Sequence, residues 1–166
     1  MATMQAEDLV ARIRDAFADV WCPLHLTSGP IGSLIDEVSH FEHDVRNWPG
    51  FDVDRAYRYS DLLGVFTPEA YRFYLPKFLV AAVDPACNLQ VTEVLVWRLF
   101  PPPVSSLQDR AHFEARTALL TAAQVDAVRE FLRFVAERDA EEYAIFDGDE
   151  EVETPQRALD RYWSRA

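Results

Sequence analysis

One stretch of the sequence, residues 36–44, carries side chains that could bind a metal ion. It contains the acids and histidines Asp36, Glu37, His40, His43 and Asp44. Residues three or four apart share a helix face, so Asp36, His40 and either His43 or Asp44 could converge on a divalent cation such as Zn²⁺ or Mn²⁺. A metal with an open coordination position would then activate water for hydrolysis. The same spacing also fits a solvated helix face, and the sequence has no second pair of histidines to complete the site.

A second candidate site is the acidic segment, which we define as residues Asp139–Glu153. It holds no Lys or Arg and eight carboxylates, namely Asp139, Glu141, Glu142, Asp147, Asp149, Glu150, Glu151 and Glu153. Dense negative charge favours a basic partner, and apolar side chains within it could anchor that partner. The residues that we expect to contact the partner are Tyr143, Ile145, Phe146, Asp147, Asp149, Glu150, Glu151 and Glu153. A solvated loop between two helices is the alternative interpretation.

Other motifs that would indicate chemistry are absent from the sequence. The run after Asp147 is not an EF-hand, because its glycine stands second rather than sixth and Ala158 occupies the position of the bidentate acid. Cys22 and His25 flank a proline without a third partner, so they do not form a catalytic dyad. Neither a nucleophile elbow, a glycine-rich nucleotide loop, nor paired Cys-x-x-Cys motifs occur. We therefore predict no catalytic residues and, apart from the metal alternative, no cofactor.

Composition points to one acidic globular domain spanning residues 1–166. The chain has 166 residues, a formal net charge of −12 and 49% apolar residues, which excludes a disordered protein. Its acidity disfavours nucleic acid and anionic membranes, which both need basic patches. The start of the chain has no basic region followed by an apolar run, and its apolar runs are too short to span a bilayer. We expect a cytoplasmic protein in which Cys22 and Cys87 are reduced and buried.

The elements that must position the candidate residues are helices. Apolar residues recur at helical spacing in seven segments with start or stop signals. We predict helices over Gln5–Ala18, from Ser33 to before Trp48, over Val53–Leu63, from Pro68 beyond Leu79, over Thr92–Phe100, from Thr121 to about Glu142, and from Pro155 onwards. The expected inward positions are Leu9, Ile13, Ala16 and Phe17; Leu34, Ile35, Val38, Phe41 and Val45; Val125, Val128, Phe131, Leu132 and Val135; and Leu159, Tyr162 and Trp163.

Caps fix several of these helix starts. Thr67 followed by Pro68 and Thr154 followed by Pro155 each place a capping hydroxyl before a proline at the first helical position. Asp52 is a further N-cap, and Thr121 with Gln124 forms a capping box. Pro76 lies inside its helix, so we expect a kink or two abutting helices there.

The fold class follows from these elements. Residues 91–100 fit strand as well as helix spacing, and we predict helix because no second strand-like run could pair with them. The architecture is therefore all-α, an irregular bundle of six or seven helices with one kinked at Pro76. Tyr71, Phe73, Tyr74 and Phe78 are typical of a core, although Tyr71 and Tyr74 equally fit the rim of a pocket.

Some of these packing motifs resemble a family of uncharacterised bacterial proteins. The resemblance rests on Thr67-Pro68-Glu69-Ala70 with Tyr74-Leu75-Pro76, on Ala16-Phe17, and on Leu120-Thr121-Ala122-Ala123-Gln124 with Phe131-Leu132. It covers roughly residues 10–135 and leaves the acidic segment outside. It implies a bacterial origin and no assigned activity. Small acidic helical bacterial proteins also include immunity proteins, an analogy that carries no functional residue across.

These observations give two functional expectations. The first is a non-catalytic, immunity-like module that presents the acidic segment to a basic protein partner. The second is a metal-dependent hydrolase or metal-binding protein that uses the face of Asp36, His40, His43 and Asp44. A domain that self-associates through its aromatic cluster is a third possibility.

Overall fold

A computed structural model describes residues 5–27, 34–46, 51–87, 89–145 and 152–165. The described chain contains nine α-helices and no strand, so the all-α prediction is confirmed and the number of helices exceeds the expected six or seven. The helices are α1 (Ala6–Ala16), α2 (Ile35–Arg46), α3 (Val53–Tyr59), α4 (Pro68–Val83), α5 (Leu89–Arg98), α6 (Leu107–Thr117), α7 (Ala122–Arg138), α8 (Ala140–Ala144) and α9 (Pro155–Ala158). A 3₁₀ turn, Ser60–Gly64, follows α3, and a π-helical turn, Leu159–Trp163, follows α9.

The predicted caps form as expected. The hydroxyl of Thr67 accepts a hydrogen bond from the Ala70 amide at 3.1 Å, and the Asp52 side chain caps α3. Thr121 and Gln124 form the reciprocal capping box at the start of α7. These side chains satisfy amides that have no partner within the first turn of a helix, which is why the caps define the starts so well.

The helices pack around one core, with α4 at its centre. Its buried residues face α1, α3, α5, α6 and α7. Tyr71, Tyr74 and Phe78 are almost fully buried, which confirms that the aromatic stretch belongs to the core. At the end of the chain Trp163 is fully buried and its indole donates to the Leu99 carbonyl at 2.7 Å. This bond ties the chain end to the end of α5.

Several local predictions were wrong. Ile35 is 60% exposed because Leu34, Val38 and Phe41 form the inward stripe and Ile35 lies about 100° away from it. Cys22 is exposed rather than buried, in a loop after α1. Helix α6 was not predicted. The predicted helix from Thr121 to Glu142 is interrupted at Asp139, between α7 and α8.

Other expectations have a mixed outcome. Helix α4 runs through Pro76, so this segment is one helix and not two; the kink stays a prediction. Residues 91–100 lie in and just after helix α5, as expected. Trp48 and the side chain of Val45 lie outside the described residues. Within the described ranges, no helix is both long enough and apolar enough to cross a bilayer.

Candidate functional site

The histidine and acid side chains of α2 have different surroundings in the structure. Asp36, His40 and His43 are exposed, whereas Asp44 accepts a short hydrogen bond from the hydroxyl of Tyr59. That bond is the main reason why the pKa of Asp44 lies below its usual value. Among the residues that the structure describes, no three His, Cys, Asp or Glu side chains are grouped so that they could hold a metal ion. Asp44 instead links α2 to α3.

At the start of the acidic segment, Asp139 is bound internally. It is 9% exposed and accepts two hydrogen bonds from the guanidinium of Arg138, at 2.6 and 2.7 Å. Arg138 also donates to the Ala82 carbonyl at 2.7 Å and to the Thr92 hydroxyl at 2.9 Å. Through these bonds the pair joins the end of α7 to α4 and α5. Asp139 is therefore a structural acid.

The predicted contact residues of the acidic segment differ in their exposure and surroundings. Ile145 is 77% exposed, while Tyr143 is half-buried and its hydroxyl lies inside without a described partner. Burial is also the main reason why the pKa of Tyr143 is raised. Glu153 lines a different cavity, described below. Phe146, Asp147, Asp149, Glu150 and Glu151 lie outside the described residues.

A shallow groove of about 320 Å³ lies between α7, α8 and α9. Small or apolar residues form much of its wall, and they are Ala136, Ala140, Ala144 and Pro155. Glu141 and Glu142 are exposed on α8, and Ile145 follows directly after that helix. We call this surface the α8 groove. It combines an apolar recess with exposed negative charge nearby.

A second cavity, of about 310 Å³, lies where the end of α5 faces α6. We call it the arginine cavity, because Arg98 and Arg116 both line it. Its other lining residues are Gly64, Trp97, Phe100, Pro101, Pro102, Pro103, Asp109, His112, Phe113 and Glu153. It shares no described lining residue with the α8 groove.

Helix α6 supplies the polar stripe of the arginine cavity. Asp109, His112, Phe113 and Arg116 stand at positions i, i+3, i+4 and i+7, which places them on one helix face. Opposite them, the lack of a side chain at Gly64 leaves room for Arg98. A Cβ at this glycine would lie 2.5 Å from Nη1 of Arg98. The glycine thus permits the guanidinium to lie against the 3₁₀ turn.

Arg116 is buried without an acidic partner. Its residue is only 6% exposed, and no described carboxylate forms an ion pair with it. One of its terminal nitrogens donates a short hydrogen bond to the Leu63 carbonyl, and its guanidinium lies 5.0 Å from the centroid of the Tyr71 ring. Its Nε has no described partner, although an unpaired buried donor costs about 1–3 kcal/mol.

Arg98 has more hydrogen-bond and stacking partners than Arg116, but one of its donors has no described partner. It donates to Asp61 at 2.6 Å and stacks with its carbon Cζ 4.2 Å from the Trp97 ring centroid. Its Nε is buried and lacks a described partner, as in Arg116. Two guanidinium groups, each with a buried Nε that has no partner among the described residues, therefore line one cavity.

The ionisable neighbours respond to this environment. Burial, and then the charge of Arg116, lower the pKa of His112, which favours its neutral form. Burial raises the pKa of Tyr71 to about 12, with the nearby Arg116 acting in the opposite direction. The pKa of Glu153 is raised by partial burial, while Arg161 opposes the shift. Burial also lowers the pKa of Arg116 from its usual value, while Tyr71 opposes this shift.

Sequence reasoning missed the arginine cavity although a signal was present. The spacing of Asp109, His112, Phe113 and Arg116 is that of an amphipathic helix, but three of the four positions are polar or charged. A search for apolar stripes therefore passes over α6. That Arg98 of α5 lies at the same cavity could not be predicted, because this depends on how two separate helices pack.

The comparisons with known proteins identify a family and no activity. The model of a family of unknown function (DUF6714) matches residues 5–166. This match includes the acidic segment, which the motif resemblance left outside. No curated protein and no solved structure matches the chain significantly.

Proposed function

The chain belongs to DUF6714, a family of unknown function, and we propose from its own residues that it is a non-catalytic protein-binding module for a basic partner. Membership of an uncharacterised family was expected, whereas the bacterial origin remains a prediction. The proposal rests chiefly on one observation: Ile145 is 77% exposed within the most acidic part of the chain, directly after Ala144, which lines the α8 groove.

The burial and contacts of the described residues support a narrower set of proposed contact residues. Asp139 is bound to Arg138, and Glu153 lines the arginine cavity. Removing these two from the eight acids of the segment leaves six, which are Glu141, Glu142, Asp147, Asp149, Glu150 and Glu151. Tyr143 is half-buried, so its role would be to shape the groove. Ile145 is exposed, and it would be the apolar residue that anchors the partner.

The proposed partner presents lysine or arginine side chains around an apolar residue. The recess between the alanines of α7 and α8 and Pro155 suits a small apolar side chain. One cation, Arg157, also lines the recess, so the basic groups of the partner would face the exposed Glu141 and Glu142 of α8. Charges of this kind chiefly raise the association rate and fix orientation, while buried apolar contacts slow dissociation. Binding should therefore weaken as the salt concentration rises.

Affinity capture from the native host with three matched baits tests this function. The baits are the unmodified chain, a triple variant Glu141→Gln, Glu142→Gln and Ile145→Ala, and a control Asp15→Asn with Asp19→Asn. Asp15 and Asp19 are exposed, and Gln124 at the start of α7 donates to the Ala16 carbonyl between them in sequence. Since α7 has 17 residues, it separates this control site from α8 by roughly 25 Å.

We expect the unmodified chain and the control to retain the same basic protein at low salt, and the triple variant to lose it. Purified components should then show at least a tenfold difference in Kd between the unmodified chain and the triple variant. Capture that is empty, or equal for all three baits, would contradict the proposal. All three baits should first show the same melting temperature within about 2 °C, as expected for exposed sites.

The finer hypothesis is that the basic partner is a toxin which this chain neutralises. Its motivation is the analogy with small acidic immunity proteins. Co-expression of the captured partner with the unmodified chain should restore host growth, whereas co-expression with the triple variant should not. A captured partner that is harmless when expressed alone would refute the toxin hypothesis and leave the binding function in place.

A further inference from the structure

We propose that the arginine cavity binds a small organic monocarboxylate, whose carboxylate pairs with Arg116 and Arg98 and whose apolar body lies against the proline and aromatic wall. This site is independent of the α8 groove, because the two share no described lining residue. The inference therefore does not depend on the proposed protein partner.

Arg116 is the strongest evidence for an anion. A guanidinium keeps its charge at every physiological pH, so it cannot relieve its burial by losing a proton. Buried charges in proteins are usually paired, yet this 6% exposed arginine has no ion pair in the described chain and lines a cavity. An anion entering the cavity would supply the missing partner.

The shape of the two guanidinium groups favours a planar anion. Arg98 and Arg116 each have a buried Nε without a described partner. The flat fork of donors on a guanidinium matches the two oxygens of a carboxylate or a phosphate. Because both Nε atoms are buried, a ligand with two acceptor oxygens would pair with the terminal nitrogens of the two guanidinium groups.

The surrounding charges favour a single negative charge on the ligand. Arg98 is already paired with Asp61 at 2.6 Å, and Asp109 and Glu153 also line the cavity. His112 adds little positive charge, because burial and the nearby Arg116 lower its pKa. A dianionic phosphate would meet more repulsion than compensation here, whereas a monocarboxylate needs only the charge of Arg116.

The remaining wall is apolar and rigid. Pro101, Pro102 and Pro103 form one part of it, and Trp97, Phe100 and Phe113 contribute aromatic rings. A volume of about 310 Å³ lies at the low end of the range for ligand pockets. The ligand is thus a small acid with a hydrocarbon or aromatic body.

A binding screen with the full chain tests the proposal. The probes are small monocarboxylates with aromatic, branched or linear bodies, each beside its primary amide, and inorganic phosphate as a separate arm. Calorimetry gives the affinity, and the ¹⁵N–¹H signals of arginine Nε–H groups report which guanidinium groups respond. We expect saturable binding of at least one carboxylate, a weaker or absent response to its amide, and shifts of the Arg98 and Arg116 signals.

Three variants separate recognition from folding. Arg116→Lys keeps a cation but removes the fork, so it should weaken binding at least tenfold. Arg110→Gln lies on the same helix outside the cavity lining and should leave the affinity unchanged. Glu153→Gln removes a negative charge from the lining and should tighten binding several-fold, a gain that loss of folding cannot mimic.

The outcomes decide the proposal. It is overturned if no carboxylate binds with a Kd below about 10 mM, which is already weak binding. It is equally overturned if the amides bind as well as the acids, or if phosphate alone binds. It is also overturned if a folded Arg116→Lys protein retains full affinity. Carboxylate binding that depends on Arg116 and is strengthened by Glu153→Gln supports it.

Discussion

Two buried or partly buried arginines of this chain differ sharply in their partners. Arg138 donates to both oxygens of Asp139, to the Ala82 carbonyl and to the Thr92 hydroxyl. Arg116, which is 6% exposed, has the Leu63 carbonyl and the face of Tyr71 but no described carboxylate. The first arginine connects three helices, whereas the second lines a cavity. This contrast is the reason why we assign Arg138 a structural role and propose a binding role for Arg116.

The largest expected effect comes from breaking the Arg138–Asp139 pair. Asp139→Ala leaves the arginine without its carboxylate and should lower the free energy of unfolding by about 2–4 kcal/mol. For a chain of this size the melting temperature should fall by roughly 5–12 °C, as measured by calorimetry.

Asp126→Ala is the matched control for this substitution. Asp126 also pairs with an arginine, Arg129, at 2.6 Å, but its side chain is 64% exposed. Exposed ion pairs contribute only about 0–1 kcal/mol. Equal losses for Asp126→Ala and Asp139→Ala would show that the Asp139 pair is no stronger than a surface contact.

A smaller effect is expected when Arg116 is replaced. Arg116→Met removes an unpaired buried charge and one hydrogen bond to Leu63, so the two changes oppose each other and stability should alter by no more than about 1 kcal/mol. Arg138→Met, by contrast, leaves the buried Asp139 without its arginine and should lower the free energy of unfolding by about 3 kcal/mol. Thermal unfolding of the two variants in parallel tests the comparison directly. A loss for Arg116→Met that matches Arg138→Met would assign Arg116 a structural role.

Lys77 extends the comparison to a cation that can lose its proton. Its test needs no substitution, so it has the smallest effect on the fold. It is the only lysine among the chain's 16 Lys and Arg residues, and its ammonium lies 3.8 Å from the Phe73 ring centroid. Burial lowers its pKa to about 8, an effect that the nearby Cys22 opposes. At pH 7 about a tenth of Lys77 would be neutral, against less than about a thousandth for an ordinary lysine.

Acylation of Lys77, followed by mass spectrometry of its peptide, measures this difference. Because the neutral amine is the nucleophile, the rate should rise with pH and level off above about 8 in the folded chain. The urea-unfolded chain serves as the control and should show its midpoint near an ordinary lysine pKa of about 10.4. A midpoint near 10 in the folded chain would mean that Lys77 is not desolvated.

Local features of the fold could be predicted from the sequence because their causes are local. Thr67 and the Thr121–Gln124 box mark helix starts through hydrogen bonds within four residues. Helix α6 could not be found in this way, because its buried residues are Phe113, Arg116 and Thr117, of which only Phe113 is apolar. The contacts of Arg138 with α4 and α5 could not be predicted either, since they join residues 46 and 56 positions apart.

The candidate sites follow the same division. The density of acids between residues 139 and 153 is a property of the sequence alone. Which of them could face a partner is not, because Asp139 turns inward and Glu153 lines another cavity. The residues of α2 give another example. Their spacing in the sequence fits a metal site, but in the structure Asp44 accepts a hydrogen bond from the hydroxyl of Tyr59.

The sequence by itself determined the helical class, the caps and the strongly acidic balance of the chain, because periodicity, short-range hydrogen bonds and charge are set by neighbouring residues. Only the tertiary structure decided which charges are paired. Arg98 and Arg116 stand 18 positions apart on different helices and meet at one cavity only when α5 packs opposite α6. Whether a buried charge has a partner depends on such long-range packing, which no local pattern records.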